Sequence, residues 1–258
     1  MNATARKENP SMLWEIEEYW TKRAKSYSEE VRFEMEHENE RRWMEVLQRY
    51  LKGIPGKRVL DIGTGPGFFA IGLTKRRYQV TAVDYTWKML EEAKKNAGAL
   101  ADKIDFWQMD AQNLDFEDAS FDAIVTRNLT WNLERPGDAY REWHRVLKKG
   151  GVLLNFDAGW YNYLFDDAKA VSFEEDRKRV KDAQLKDFES YSESDKMEDI
   201  SRRLILSRCK RPETDIELLR RAGFRLIYTD EEIGEKVWDE TEKMNYGSRP
   251  MFMLRGVK

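Results

Sequence analysis

The sequence predicts an α/β protein with a seven-stranded, mostly parallel, doubly wound sheet whose last strand is antiparallel. N-terminal helices and a helical lid insertion complete it. Three observations carry this. The apolar run Arg58-Val-Leu-Asp-Ile62 leads into the glycine-rich stretch Gly63-Thr-Gly65-Pro-Gly67 and then a helical pattern. Further short apolar runs end in acids, at Asp84 and Asp110. Helical segments separate the runs, the alternation of βαβ units and a parallel sheet.

Ser11 to Leu51 reads as two helices with few breakers, carrying Leu13, Trp14, Ile16, Tyr19 and Trp20, then Phe33, Met35, Trp43, Val46, Leu47 and Tyr50. At the glycine turn, glycines let the chain bend sharply and approach a ligand. The helix after it is expected to offer unpaired N–H groups to a polar or anionic ligand. A P-loop is excluded, because no Gly-Lys-Ser/Thr follows. A dinucleotide fingerprint wants a third glycine where Phe68 stands.

Tyr78 to Val83 forms the second strand, and Asp84 lies 23 residues past Asp61. That is near the ~20-residue spacing at which an acid reaches ribose hydroxyls in such folds. A helix over Thr86 to Asn96 follows, then Ile104 to Ala111, a third strand ending in another acid, Asp110. The fourth strand, Phe121 to Thr126, runs into Arg127-Asn128-Leu129-Thr130-Trp131-Asn132-Leu133. The helix Arg135 to Lys148 leads through Lys149-Gly150-Gly151 to the strand Val152 to Leu154.

Leu60-Asp61-Ile62-Gly63-Thr64-Gly65-Pro66-Gly67 resembles the first motif of the class I S-adenosylmethionine (SAM)-dependent methyltransferases. Val146-Leu-Lys-Lys-Gly-Gly151 resembles their helix–Leu-Lys-Pro-Gly-Gly–strand segment, with Lys149 in place of proline. The resemblance is close over about residues 54 to 157. It implies SAM as cofactor, S-adenosylhomocysteine as product and no metal. It assigns cofactor contacts to Asp61, Gly63, Thr64, Gly65 and Gly67, to Asp84 with Tyr85, and to Asp110 with Ala111, which would meet the adenine amino group. Asn128 would lie beside the methylsulfonium and help place the nucleophile. Tyr19-Trp20-Thr-Lys-Arg-Ala-Lys-Ser-Tyr27 resembles a Tyr-Trp-x-x-Arg-Ala-x-x-Tyr segment of small-molecule members, where Trp20 and Tyr27 would close over the methionine half of SAM.

Beyond the core, Ala158 to Phe165 holds Trp160, Tyr161, Tyr163 and Phe165 just past a strand end. In open α/β sheets ligands sit off those ends. Trp160, Tyr161 and Tyr163 are therefore substrate-pocket candidates, while others of the set fasten the insertion. Asp166 to Ile200 has 12 acids against 7 bases and reads as solvated helix. Ser201 to Arg211 carries five bases and no acid, so Arg208 or Arg211 is a candidate anchor for an acidic substrate group. Pro212 to Asp215 caps a helix over Ile216 to Ala222 stopped by Gly223, Phe224 to Thr229 is a strand, and Met251 to Leu254 the last strand. Ile233 to Arg249 reads as a long polar connection. The expected divisions are 1–53 (N-terminal helices), 54–157 (SAM-binding core), 158–211 (helical lid) and 212–258 (the rest of the core sheet).

Composition points the same way. The 258 residues carry 45 Lys and Arg against 48 Asp and Glu, a net charge of −3, which does not favour nucleic acid. Mean hydropathy is −0.79, and no apolar run reaches the ~18 residues of a membrane span. With one cysteine, Cys209, and no apolar signal core in Met1 to Pro10, a cytoplasmic location is expected. His37 and His144 have no metal-ligand spacing. His37 is a candidate general base and His144 a structural residue. The functional expectation is methyl transfer from SAM to a small acceptor. A SAM-binding protein without transferase activity and a dinucleotide oxidoreductase are the alternatives.

Overall fold

The computed structural model describes residues 11–36, 38–190 and 193–258. Seven strands form one sheet: β1 (Arg58–Ile62), β2 (Gln79–Asp84), β3 (Ile104–Gln108), β4 (Phe121–Arg127), β5 (Leu147–Asp157), β6 (Arg225–Asp230) and β7 (Phe252–Val257). Their order is β3-β2-β1-β4-β5-β7-β6. The first five pair in parallel, and β7 runs antiparallel to both β5 and β6. The order reverses between β1 and β4, where a doubly wound sheet opens a crevice at its carboxyl edge.

The helices before β1 are α1 (Leu13–Glu36) and α2 (Glu38–Tyr50). The crossovers carry α3 (Phe68–Lys75), α4 (Trp87–Ala97) and α5 (Pro136–Val146). One apolar layer gathers Trp43, Leu47, Phe68, Phe69 and Phe156 on one face of the sheet. Another gathers Leu60, Ile124, Tyr140, Trp143 and Leu254 on the other. Strands buried on both faces explain the near-continuous apolar runs. Trp43 meets Phe69 and Phe156 edge-on, with centroids 5.4 and 5.1 Å apart.

After β5 come α6 (Asp167–Asp182) and α7 (Ser194–Ser201), then α8 (Glu213–Ala222). The insertion is not only solvated helix. Met197, Ile200 and Leu204 pack with Ile16, Tyr19, Trp131 and Tyr161 in a third apolar cluster, which ties α7 to α1.

The segment expected as a polar connection holds α9 (Ile233–Val237) and α10 (Glu240–Tyr246). Ile233, Val237 and Trp238 are core residues. The sequence does carry the start signal of α10. Asp239 accepts the Glu242 N–H at 2.8 Å, and Glu242 accepts the Asp239 N–H at 2.8 Å, a reciprocal capping box. Asp239→Ala is expected to cost about 1 kcal/mol, read as a lower urea midpoint with unchanged slope.

Candidate cofactor cleft and its surroundings

The cleft is built where β1, β2 and β4 end. Gly63 and Gly65 turn the chain out of β1 with φ of +67° and +52°, a region L-residues with side chains rarely adopt. A Cβ on Gly63 would lie 2.9 Å from both Leu129 methyl carbons. Gly63→Ala is therefore expected to lose about 1–3 kcal/mol of stability through strain and overpacking, measured by denaturant unfolding.

The turn spends its own donors. Gly63 and Thr64 N–H donate to Val83 O at 2.8 and 3.0 Å, and Gly67 N–H donates to Thr64 O at 2.9 Å. The buried Asp61 carboxylate accepts the Thr64 hydroxyl at 2.7 Å and the Ala70 N–H at the first turn of α3. This corrects the expectation of an open helix N-terminus, because a carboxylate of the chain already sits there. Burial pushes the Asp61 carboxyl up to about 7, against the pull of the Thr64 and Ala70 hydrogen bonds.

Asp84 ends β2 and faces the cleft. Its Oδ2 accepts the Gly65 N–H at 2.9 Å and its Oδ1 the Thr86 N–H at 2.8 Å. Burial raises its carboxyl to about 6, opposed by those two hydrogen bonds and one from the Thr86 hydroxyl. The two N–H groups and the Thr86 hydroxyl fix the plane of the carboxylate. Asp110, after β3, accepts the Gln112 backbone and side-chain N–H on Oδ1, at 2.9 and 3.0 Å. Its Oδ2 has no hydrogen-bond partner among the described residues.

Of the expected cofactor residues, Trp20, Tyr27, Gly63, Gly65, Asp84, Tyr85, Asp110, Ala111 and Asn128 line this one cleft. Asp61 and Thr64 line a smaller recess behind the turn, shared with Tyr27, Gly63, Gly65 and Arg127. Gly67 lines neither and caps α3 in the left-handed conformation. Trp20 and Tyr27 are neighbours on α1, with ring centroids 5.4 Å apart, and α1 roofs the cleft together with Leu13 and Ile16.

Asn128 takes a left-handed φ of +56°, and its Oδ1 is buried with no partner among the described residues. Asn132, 7% exposed and also in the cleft wall, has a second buried, unpartnered amide oxygen. Buried amide acceptors are normally satisfied, so two orphans in one wall mark a place for ligand N–H or polarised C–H groups. Sequence reasoning passed over Asn132 and Arg127. Arg127 lies 4.3 Å over the Phe68 ring and donates to Glu34 at 2.7 Å. Only the third dimension brings Glu34, on α1, to it.

The remaining candidates lie elsewhere. Trp160 packs on Tyr246 and donates to Asp157 at 3.0 Å, and Tyr161 packs on Trp131. Tyr163 stacks on Phe173, donates to Glu198 at 2.9 Å and lines a separate cavity. These aromatics hold the insertion to the core and leave the lining of the cleft to other residues. Arg208 lies outside both cavities, over Phe165, donating to the Arg202 carbonyl. Arg211 is buried in ion pairs with Asp157 and Asp215. His144 is half-buried against Phe224, and burial lowers its pKa. His37 lies outside the described residues. Among the described residues no His, Cys, Asp and Glu group is set to hold a metal, and no helix is long and apolar enough to cross a membrane.

Residues 60–155 match the methyltransferase domain family. Strand order and glycine turn are those of a Rossmann-like fold, and the match is to a methyltransferase domain over residues 60–155. Among curated relatives, a ubiquinone/menaquinone biosynthesis C-methyltransferase of Ruegeria sp. is 36% identical over 116 residues, covering 43% of this chain and 46% of that protein. A demethylmenaquinone methyltransferase of Deinococcus radiodurans is 42% identical over 104 residues, covering 39% and 43%. The chain thus spans less than half the length of these relatives. Two solved structures share the fold. A Methanococcus maripaludis protein, provisionally described as a SAM-dependent methyltransferase, has TM-score 0.60 and 22% identity over 98% of this chain and 97% of its own. Phosphoethanolamine N-methyltransferase 2 of Haemonchus contortus, solved with SAM, has TM-score 0.55 and 20% identity, covering 83% and 51%.

Proposed function

We propose that the cleft binds SAM and that the protein transfers its methyl group to a small molecule. The observation that carries this is the pairing of Asp84 with the glycine turn. The Asp84 carboxylate is held in plane by the Gly65 and Thr86 N–H groups and faces the cleft, where it is placed to accept ribose hydroxyls. The same turn has no cradle for a pyrophosphate, because Asp61 occupies the N-terminal turn of α3. A nucleoside without a pyrophosphate suits these residues, which favours SAM over a dinucleotide.

In this reading Asp110 and Ala111 hold the adenine edge, and Tyr85 borders the adenosine. Gly63 and Gly65 form the floor, and Asp61, Thr64 and Gly67 hold the turn from behind. Trp20 and Tyr27 cover the methionine half and exclude water. Asn128 sits at the reacting end and accepts from the ligand through its free Oδ1. Bound SAM supplies a methyl already activated by its sulfonium charge. The chain's part is to align acceptor and methyl and keep the site dry. A general base is needed only for an acceptor that starts protonated. The relatives named above favour a small-molecule acceptor.

Calorimetry with SAM, S-adenosylhomocysteine and NADH tests this. Binding of the first two and not the third is expected. Binding of NADH alone would overturn the cofactor assignment. Tight SAM binding without transfer to any acceptor in a labelled-methyl screen would favour a binding protein.

A further inference from the structure

A second cavity, of about 190 Å³, lies between the start of the insertion and the turn before β7. That is several times what one water needs. It shares no lining residue with the cofactor cleft. Its wall presents the cations Lys169, Arg211 and Arg249 against one acid, Glu231.

Arg249 is the built part. It is 6% exposed, and its guanidinium carbon lies 4.7 Å from the Phe173 centroid, 5.6 Å from that of Tyr246 and 5.7 Å from that of Trp160. Nη1 pairs with Glu189 at 2.9 Å and Nη2 donates to Asn245 O at 3.2 Å. Nε is buried with no partner among the described residues, and so is the Oγ of neighbouring Ser248. A buried guanidinium N–H left unpaired is costly unless something accepts from it. Oriented to satisfy its surroundings, the Asn162 amide donates to Ser207 O at 3.0 Å and accepts from Lys169 Nζ at 3.1 Å, which draws that ammonium to the rim. Arg211 is satisfied by Asp157 and Asp215 behind it, so Lys169 and Arg249 are the cations with donor capacity left.

We propose that this cavity is a binding site for a small oxyanion, a phosphate or phosphate monoester, held by Lys169, Arg249 and Ser248 apart from the cofactor cleft. A free ion and a phosphorylated small molecule would present the same oxygens. A caged guanidinium with a spare donor, an unpaired hydroxyl and an exposed ammonium at the mouth supply the donors a tetrahedral anion takes.

The test is calorimetry of the full chain with inorganic phosphate and, separately, glycerol 3-phosphate, at constant ionic strength. Lys169→Glu is the deciding variant, because its exposed side chain leaves the buried cage intact. Saturable binding of phosphate, weakened at least ~10-fold by Lys169→Glu, is expected, with S-adenosylhomocysteine affinity unchanged within about twofold. Tighter binding of glycerol 3-phosphate than phosphate would mark the occupant as a phosphorylated small molecule, and equal binding as the free ion. No saturable binding of either probe, equal binding to Lys169→Glu, or displacement of the probe by S-adenosylhomocysteine would each overturn the proposal. Absence of S-adenosylhomocysteine binding to the wild type would instead count against the cofactor reading, and leaves the phosphate titration to be judged by itself.

Discussion

Replacing Asp84 with alanine is expected to weaken S-adenosylhomocysteine binding at least ~100-fold, about 2.7 kcal/mol. Two hydroxyl hydrogen bonds to one carboxylate are lost, each worth about 1.5–3 kcal/mol when charge-assisted. The N–H groups of Gly65 and Thr86 also lose their acceptor, which frees the turn. Asn is expected to serve poorly as a replacement. Both carboxylate oxygens face N–H donors, so an amide nitrogen at either position sets donor against donor. The wild type should show a pH dependence with a definite sign. Burial raises the Asp84 carboxyl to about 6 in the free protein. Two hydroxyl donors stabilise the charged form, so its pKa falls on binding. Affinity should be level above pH ~7 and fall as pH drops through about 6, toward tenfold per unit between the free and bound values. A pH-independent affinity between 5 and 8, or an Asp84→Ala protein that binds as the wild type does, would remove Asp84 from the site.

The acids at the strand ends were readable because the signal is local. A buried strand, a glycine turn and an acid at the next strand tip fall within Arg58 to Asp84, and parallel pairing brings them together with no long-range information. The roles inside that motif were less readable. Asp61 stands in the stretch as one more acid, and only the fold turns its carboxylate onto the first turn of α3. The cleft roof was half readable: Trp20 and Tyr27 could be named, but not that α1 also delivers Glu34 to Arg127, 93 positions away. The segment after β6 misled because its helices are short. Five residues of α9 show little more than one turn of periodicity, and polar residues flank the apolar ones that enter the core. The pair Asp239 and Glu242 was the signal available there. The basic stretch Ser201 to Arg211 misled for another reason. Charge along the chain does not say which guanidinium meets a buried carboxylate.

Arg211 shows what that costs, and Arg211→Met is expected to destabilise the protein by about 3–5 kcal/mol. Arg211 is 1% exposed, and Asp157 and Asp215 are fully buried. Nε and Nη2 donate to the two oxygens of Asp215 at 2.7 and 2.8 Å, Nη1 to Ala158 O at 2.9 Å, and Nη2 to Thr130 Oγ1 at 2.6 Å. Tyr140 donates to Asp215 at 2.7 Å, and Asn155 donates to Tyr140 at 2.9 Å. Methionine keeps much of the bulk but leaves two carboxylates buried without their cation. That penalty, more than a lost attraction, sets the size of the effect. Changing Asp215 to Asn in the same protein should therefore recover part of the loss, because with Arg211 gone its amide oxygen can still accept the Tyr140 hydroxyl, whereas Asp157 must stay a carboxylate for the N–H groups on both its oxygens. Urea unfolding of the single and double variants reads this directly. A single variant within 1 kcal/mol of the wild type, at the level of an exposed pair, or a double variant worse than the single, would refute it. The consequence should reach the cleft. Asp157 accepts the Trp131 N–H at 3.0 Å, and the Trp131 indole donates to the Asn128 carbonyl at 2.8 Å. Through these bonds the ion cluster fixes the end of β4 against the end of β5, the place where Asn128 holds its left-handed backbone. Arg211→Met should then lower S-adenosylhomocysteine affinity with no contact to the ligand, while Arg208→Ala, a surface change, should leave both stability and affinity as they are.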